Sequence, residues 1–316
     1  MRVAIIDLGT NTCRLFLADV QGREAIESIA RLTTVVRLGQ DVGATGRLHP
    51  EAMARTRACL AEYASRLAAF GPARRLLVAT SVLRDAADGS AFLAAVERDL
   101  GLPARILTGE EEARLAFRGG TAELSGRFAG PLVLVDIGGG STEFAFGQPG
   151  LPPDHVFSLD IGAVRLTERF IRHDPPGVSE IEDLAQYVAG ALRRGVPAAA
   201  RGGARAAVGV AGTFTTLAAC KLRLREYRSE LVHGYVLTVD EIDRSIGQFA
   251  AMTSAQRLLV PGLQPGREDV ILAGALIARE ACKAFGFSEV RCSEADLLEG
   301  AALALADGSL GPYSGA

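Results

Sequence analysis

Residues 132–147 read LVLVDIGGGSTEFAFG. Four apolar residues run into Asp136, three glycines follow, and then come Ser141, Thr142, Glu143 and a second apolar run. Two apolar strands around a glycine turn read as a β-hairpin. A turn with almost no side chains lets an anion approach its backbone N–H groups, which carry partial positive charge and bind phosphate oxygens well.

The same pattern stands near the start of the chain, where residues 3–18 read VAIIDLGTNTCRLFLA. Superposing Asp7 on Asp136 places Leu8 on Ile137, Gly9 on Gly138, Thr12 on Ser141 and Arg14 on Glu143. A separation of that size, from position 7 to position 136, fits one α/β lobe. The repeat therefore predicts two similar lobes facing each other across a cleft.

A chain of 316 residues also points to two domains. The expected division is 1–126 and 127–316, with the C-terminal helix packing back on the first lobe. Between the hairpins, helices are expected near 50–70 (stopped by Gly71-Pro72), 90–100 and 110–119, and strands at 76–80 and 105–107. Glycines 119, 120, 126 and 130 surround the expected hinge. In the second lobe a helix is expected at 180–194, with a capping box from Ser179 to Glu182. A strand at 206–210 and helices near 240–250, 269–285 and 295–306 follow. Strands alternating with helices imply a mainly parallel sheet and an α/β fold.

Composition excludes several classes. No apolar run approaches the roughly 18 residues of a membrane span, and MRVAIIDLG meets an acid at position 7, so neither a span nor a signal peptide is expected. The five cysteines form no CxxC, which fits reduced thiols in the cytoplasm and argues against structural zinc. The only lysines are Lys221 and Lys283 and neither lies in GxxxxGK[ST], so a P-loop enzyme is excluded. With a net charge of −3, no global field draws polyanions and no sequence-specific nucleic-acid binding is expected. Basic residues do cluster locally: Arg193, Arg194, Arg201 and Arg205 in one group, Lys221, Arg223, Arg225 and Arg228 in another. Each is either a solvated face or a phosphate-tracking strip.

Two further segments carry chemistry. In VGVAGTFTT (208–216), Gly212 and Thr213 turn from an apolar run into a helix whose N-terminus suits an anion. LTGEEEARLAF (107–117) opens a helix with three acids. These either complement the helix dipole or supply a general base just after a strand end.

Taken together, AIIDLGTNTCRL, VATSVLRDAADG, LTGEEEARLAF, LVDIGGGSTE, GVAGTFTTLA, HGYVLT and REDVILAGALIA resemble the exopolyphosphatase / guanosine pentaphosphate phosphohydrolase family, in the family's order and over nearly the whole chain. The resemblance implies the two-lobed ribonuclease H-like fold of the sugar-kinase/heat-shock/actin superfamily. It implies that Glu112 is the catalytic base activating water, and that Glu143 positions water and metal. Asp136, with Asp7 as its repeat counterpart, becomes a carboxylate associated with Mg²⁺ or Mn²⁺. Gly138, Gly139, Gly140 and Ser141 match the backbone phosphate loop, and Thr10, Asn11 and Thr12 its counterpart in the first lobe. Arg14, Arg84 and Arg267 match phosphate-binding arginines, joined by Gly212 and Thr213.

The substrate so implied is inorganic polyphosphate, cleaved at its terminal phosphoanhydride, with guanosine pentaphosphate as the alternative. The two basic clusters favour the longer polyanion. A homodimer is a further family expectation. Two other classes stay open: a kinase acting on a small acceptor, and a non-hydrolysing sensor of polyphosphate or alarmone nucleotides. The chain departs from long family members by lacking a C-terminal HD-type domain. His173-Asp174 lies in a turn and is no substitute, His233 reads as structural or cleft-wall, and Leu298 stands where an arginine is expected.

Overall fold

A computed structural model describes residues 1–22, 25–71, 73–124, 128, 130–201 and 203–311. The chain forms two compact units, one of Met1–Gly119 with Leu297–Ala316 and one of Gly120–Asp296. Gly126, Pro72 and the expected domain boundary at 126/127 lie outside the described residues.

In the first unit the order is β1 (Arg2–Leu8), β2 (Thr12–Gln21), β3 (Ala25–Val35), α1 (Val42–Thr45), α2 (Pro50–Phe70), β4 (Arg74–Ala79), α3 (Ser81–Asp85), α4 (Gly89–Leu100), β5 (Ala104–Ile106) and α5 (Gly109–Thr121). The chain leaves this unit within α5, at Gly119–Gly120. The second unit continues with β6 (Leu132–Ile137), β7 (Thr142–Gly147), β8 (His155–Leu159), α6 (Ala163–Phe170), α7 (Val178–Gly195), α8 (Ala198–Arg201), β9 (Ala207–Val210) and α9 (Ala211–Lys221). It closes with α10 (Ser229–Val232), β10 (Val236–Thr238), α11 (Val239–Ala250), α12 (Ser254–Arg257), α13 (Ile271–Phe285) and β11 (Glu289–Cys292). The last helix, α14 (Leu297–Asp307), belongs to the first unit.

Each unit is built on one mixed sheet, ordered β3-β2-β1-β4-β5 in the first and β10-β11-β9-β6-β7-β8 in the second. In both, the strand ending in the motif acid pairs antiparallel with its hairpin partner and parallel with the next strand, β1 with β4 and β6 with β9. This shared order is the ribonuclease H-like topology. The repeat alignment also holds in register: Asp7 pairs with Arg14 and Asp136 with Glu143. The central strand β6 is buried along its whole length, which is why it reads as an unbroken apolar run rather than an alternating one.

Three features differ from the sequence reading. β3 and β8 extend each hairpin to three strands; they were hidden because both are largely half-exposed edge strands with polar residues. The expected capping box at Ser179 and Glu182 is replaced by a single side-chain bond at an N-cap two residues earlier. There α7 begins at Val178, and Glu180 accepts the Gly177 N–H at 2.9 Å. Leu298 is fully buried in an apolar cluster joining α14 to β1, β2 and β4, so this position serves the core.

Close packing of α14 sets a test of the first unit. A Cβ on Gly300 would stand 1.8 Å from the Leu115 carbonyl oxygen of α5. Glycine to alanine inside a helix gains up to about 1 kcal/mol in propensity, whereas overpacking against backbone costs about 1–3 kcal/mol or more. Gly300→Ala is therefore expected to lower the midpoint of thermal unfolding by several degrees. A variant as stable as the parent would disprove this close approach.

Candidate functional site

The two hairpin turns are closed by the same bond. Gly9 N–H donates to the Thr12 carbonyl at 2.9 Å, and Gly138 N–H donates to the Ser141 carbonyl at 3.0 Å. Behind each turn, a returning segment captures the carbonyl edge. In the first unit the N–H groups of Val36 and Arg37 donate to the Asn11 carbonyl, and that of Gly39 to the Thr10 carbonyl. In the second unit the first turn of α6 does this: Ala163 N–H donates to Gly138, and Val164 and Arg165 N–H donate to Gly139. The Arg165 side chain adds a bond from Nε to the Gly140 carbonyl at 2.8 Å. With the carbonyl edge occupied, the N–H edge is what each turn offers to an anion.

Gly162 makes this backing possible. A Cβ there would lie 2.3 Å from the Gly139 carbonyl oxygen. Gly39 plays the same part against Thr10, whose Cγ2 would stand 2.2 Å from an added Cβ. Sequence reasoning missed Gly39, Gly162 and Arg165. Their signal was a glycine after the third strand of each hairpin, in VRLGQ (36–40) and LDIGA (159–163).

The acids of the two turns have different company. In the first unit Arg14 donates from both Nε and Nη2 to Asp7 Oδ2, at 2.9 and 2.7 Å. Arg14 thus neutralises Asp7, and Thr10 Oγ1 hydrogen-bonds Ser81 Oγ at 3.1 Å. In the second unit the residue facing Asp136 is another acid, Glu143, which is fully buried. Ser158 on β8 donates its hydroxyl to Glu143 Oε1 at 2.7 Å. Directly opposed like charges destabilise a ladder, so a cation bound beside this buried acid pair would stabilise it. Carboxylate oxygens are the donors that Mg²⁺ and Mn²⁺ prefer. Among the described residues no three His, Cys, Asp or Glu side chains form a metal cage. Two carboxylates still fit Mg²⁺, which fills its other positions with water and substrate phosphate oxygens.

The acid triplet of α5 divides its labour. Glu111 makes a capping box with Thr108: its carboxylate accepts the Thr108 N–H at 2.8 Å and its own N–H donates to Thr108 Oγ1 at 3.1 Å. Glu110 is exposed. Glu112 is buried, and Arg84 Nη1 donates to its Oε2 at 2.9 Å and to the Leu107 carbonyl at 2.7 Å. Capping and a poised acid therefore coexist in one segment. Burial pushes the Glu112 carboxyl up to about 7; the Arg84 guanidinium pulls against that rise, and the nearby Asp7 charge adds to it.

The third turn lies wholly in the second unit. Ala211, at the start of α9, has φ 65°, a left-handed conformation that costs a non-glycine residue about 1–2 kcal/mol. Gly212 follows, and an added Cβ would stand 1.5 Å from Arg267 Nη1. The Arg267 guanidinium therefore lies directly on this turn, a placement that sequence spacing alone did not show. Thr213 packs on Gly274 of α13, where a Cβ would meet its Oγ1 at 2.6 Å.

Of the basic clusters, the first is partly structural: Arg201 donates to the Val196 and Arg193 carbonyls at the end of α7. In the second, Lys221 pairs with Glu241 and Arg228 with Glu230. His233 accepts the Glu294 N–H at Nδ1 and faces Glu123 at 3.2 Å. Among the described residues no helix is long and apolar enough to cross a membrane.

Comparison with known proteins agrees with this geometry. The pattern of the Ppx/GppA phosphatase family matches residues 17–307. Exopolyphosphatase 2 of Mycobacterium tuberculosis is 40% identical over 317 aligned positions, covering 96% of this chain and 98% of that protein. The crystal structure of an exopolyphosphatase-like protein superposes with a TM-score of 0.90 at 33% identity, covering 98% of this chain and all of that one. The Aquifex aeolicus member of the Ppx/GppA family superposes with a TM-score of 0.81 at 32% identity, covering 98% and 99%.

The Glu112–Arg84 pair yields a direct prediction. A carbon-detected NMR titration of the free protein is expected to place the Glu112 carboxyl near pH 7. In Arg84→Met, which keeps the bulk and removes the charge, the midpoint should move higher still. A midpoint at the usual carboxylate value would contradict the burial of this group.

Proposed function

Since the chain belongs to the Ppx/GppA phosphatase family, and so is a phosphoanhydride hydrolase, we propose that it is an exopolyphosphatase releasing terminal phosphate from inorganic polyphosphate. The observation that carries this reading is Glu112, a buried carboxyl poised near neutrality and held by Arg84. Such a group takes a proton from water effectively at physiological pH, because its affinity for the proton matches the working pH. Polyphosphate is favoured over guanosine pentaphosphate by the likeness to Exopolyphosphatase 2, which shares 40% identity over nearly its whole length.

In this mechanism Glu112 orients a water and removes its proton while the water oxygen attacks the terminal phosphorus. The bridging P–O bond breaks, and the shortened chain leaves with the electron pair. Arg84 is a positioning residue that fixes the carboxylate and keeps it from rising too far to ionise. Backbone N–H groups of the turns at Thr10–Thr12 and Gly139–Ser141 bind phosphate oxygens, where charge spreads in the transition state. Arg267 with Gly212 and Thr213 supplies a further phosphate contact. Arg14, tied to Asp7, adds positive charge beside the first turn. Asp136 and Glu143 would hold Mg²⁺ or Mn²⁺, which neutralises phosphate charge when bound. Asp7, neutralised by Arg14, contributes to that field only indirectly.

Phosphate release should be measured with Mg²⁺ on long-chain polyphosphate, short-chain polyphosphate and guanosine pentaphosphate. Glu112→Gln is expected to lose roughly 10²–10⁴-fold in kcat with substrate binding retained. The acid limb of kcat/KM should fall below about pH 7, because protonated Glu112 cannot act as base, and in Arg84→Met it should shift upward. Near-parental turnover in Glu112→Gln would remove the base from the mechanism. Preference for guanosine pentaphosphate would reassign the substrate, and acceptor-dependent use of ATP would make the protein a kinase.

A further inference from the structure

At the carboxyl end of α9, within the second unit, Lys221, Arg223 and Arg244 surround a cavity of about 390 Å³. That volume lies within the range of small-molecule sites. The Gly212 turn opens the same helix at its other end, nine residues before Lys221, or about 13.5 Å at 1.5 Å per residue. The cavity is thus separate from the Gly212 turn.

The cavity is rigidly built. One wall is Val260–Pro261. Behind it Gly262, at φ 96°, presses on the end of α9, where a Cβ would stand 2.2 Å from the Ala219 carbonyl oxygen. Arg257, 2% exposed, anchors the wall from below. Its Nε donates to the Phe249 carbonyl at 2.8 Å and its Nη1 to the Glu268 carbonyl at 3.1 Å. Val260 N–H then bonds the Arg257 carbonyl at 2.9 Å.

The charge in the cavity is net positive. Lys221 Nζ lies 3.2 Å from Glu241 Oε1, so that pair cancels. Glu241 is further held by the Thr238 N–H at 3.1 Å. Arg244 uses Nε on the Asp240 carbonyl at 3.1 Å and keeps its other guanidinium N–H groups for a ligand. Arg223 lines the cavity from a left-handed backbone position, φ 54°, at the end of α9. Helices commonly place glycine there, and an L-residue in that conformation costs about 1–2 kcal/mol. The arginine is held despite that strain. Carbonyls at the end of α9 contribute about half a negative charge, against two arginines.

We propose that this cavity is a second binding site, for the di- or triphosphate group of a small molecule held by Arg223 and Arg244. The phosphate belongs either to a nucleotide, whose base lies on Val260 and Pro261, or to a short inorganic polyphosphate.

The test is isothermal titration of ADP and, separately, of inorganic tripolyphosphate into the full chain and into the double variant Arg223→Gly, Arg244→Gln. Glycine at 223 relieves the left-handed strain, so the variant should fold as stably as the parent. At least one ligand is expected to lose about tenfold or more in affinity at one site, given the strength of charge-assisted bonds. Loss confined to ADP identifies the nucleotide as the ligand; loss confined to tripolyphosphate identifies the inorganic chain. Equal affinity in parent and variant, or no binding of either ligand to the parent, overturns the proposal. Because the readout is binding, the result stands apart from whether Glu112 is the catalytic base.

Discussion

A carboxylate removed from water must be compensated, and the two units meet that demand in different ways. Asp7 is answered within its own hairpin by Arg14, which donates twice to one oxygen. At the matching positions of the second unit, Asp136 faces Glu143, and the Ser158 hydroxyl donates to Glu143. Glu112 has one arginine, and burial still outweighs it. The repeat thus pairs an acid with an arginine in one hairpin and an acid with an acid in the other. That asymmetry underlies the proposal of a divalent cation at the second hairpin and a base in the first unit.

Phosphate binding by backbone requires that the turn be held still with the correct edge outward. Both units achieve this by tying the carbonyl edge from behind, through residues 36–39 in one and the start of α6 in the other. The arrangement needs a glycine where the returning chain meets the turn, because Gly162 sits within 2.3 Å (measured from a hypothetical Cβ) of the Gly139 carbonyl. The rigid turn then costs no reorganisation when phosphate charge develops, which is the condition for electrostatic stabilisation.

Arginine is the structural cation of this lysine-poor chain. Arg84 holds Glu112, Arg165 holds the Gly140 carbonyl, Arg201 closes the end of α7, and buried Arg257 anchors the wall at Val260. Its planar fork reaches two acceptors at once and keeps its charge when desolvated, which an ammonium does less well. Basic clusters that look alike in sequence therefore separate in the structure, one turned partly to helix capping and the other lining a cavity.

The sequence alone determined the architecture, because the hairpin motif occurs twice with acid, glycine and hydroxyl in register, and period and spacing are local properties. Its resemblance to a family singled out Glu112, Asp136 and Glu143. It did not show which acid of the triplet is buried, that Arg84 bonds Glu112, or that Arg267 lies on Gly212. Nor did it reveal β3 and β8, whose half-exposed faces carry no clean alternation. Those facts depend on contacts between segments far apart in the chain, such as position 84 with 112 and 212 with 267. Burial and pairing, which set protonation state and charge balance, are decided only when the tertiary structure brings such segments together.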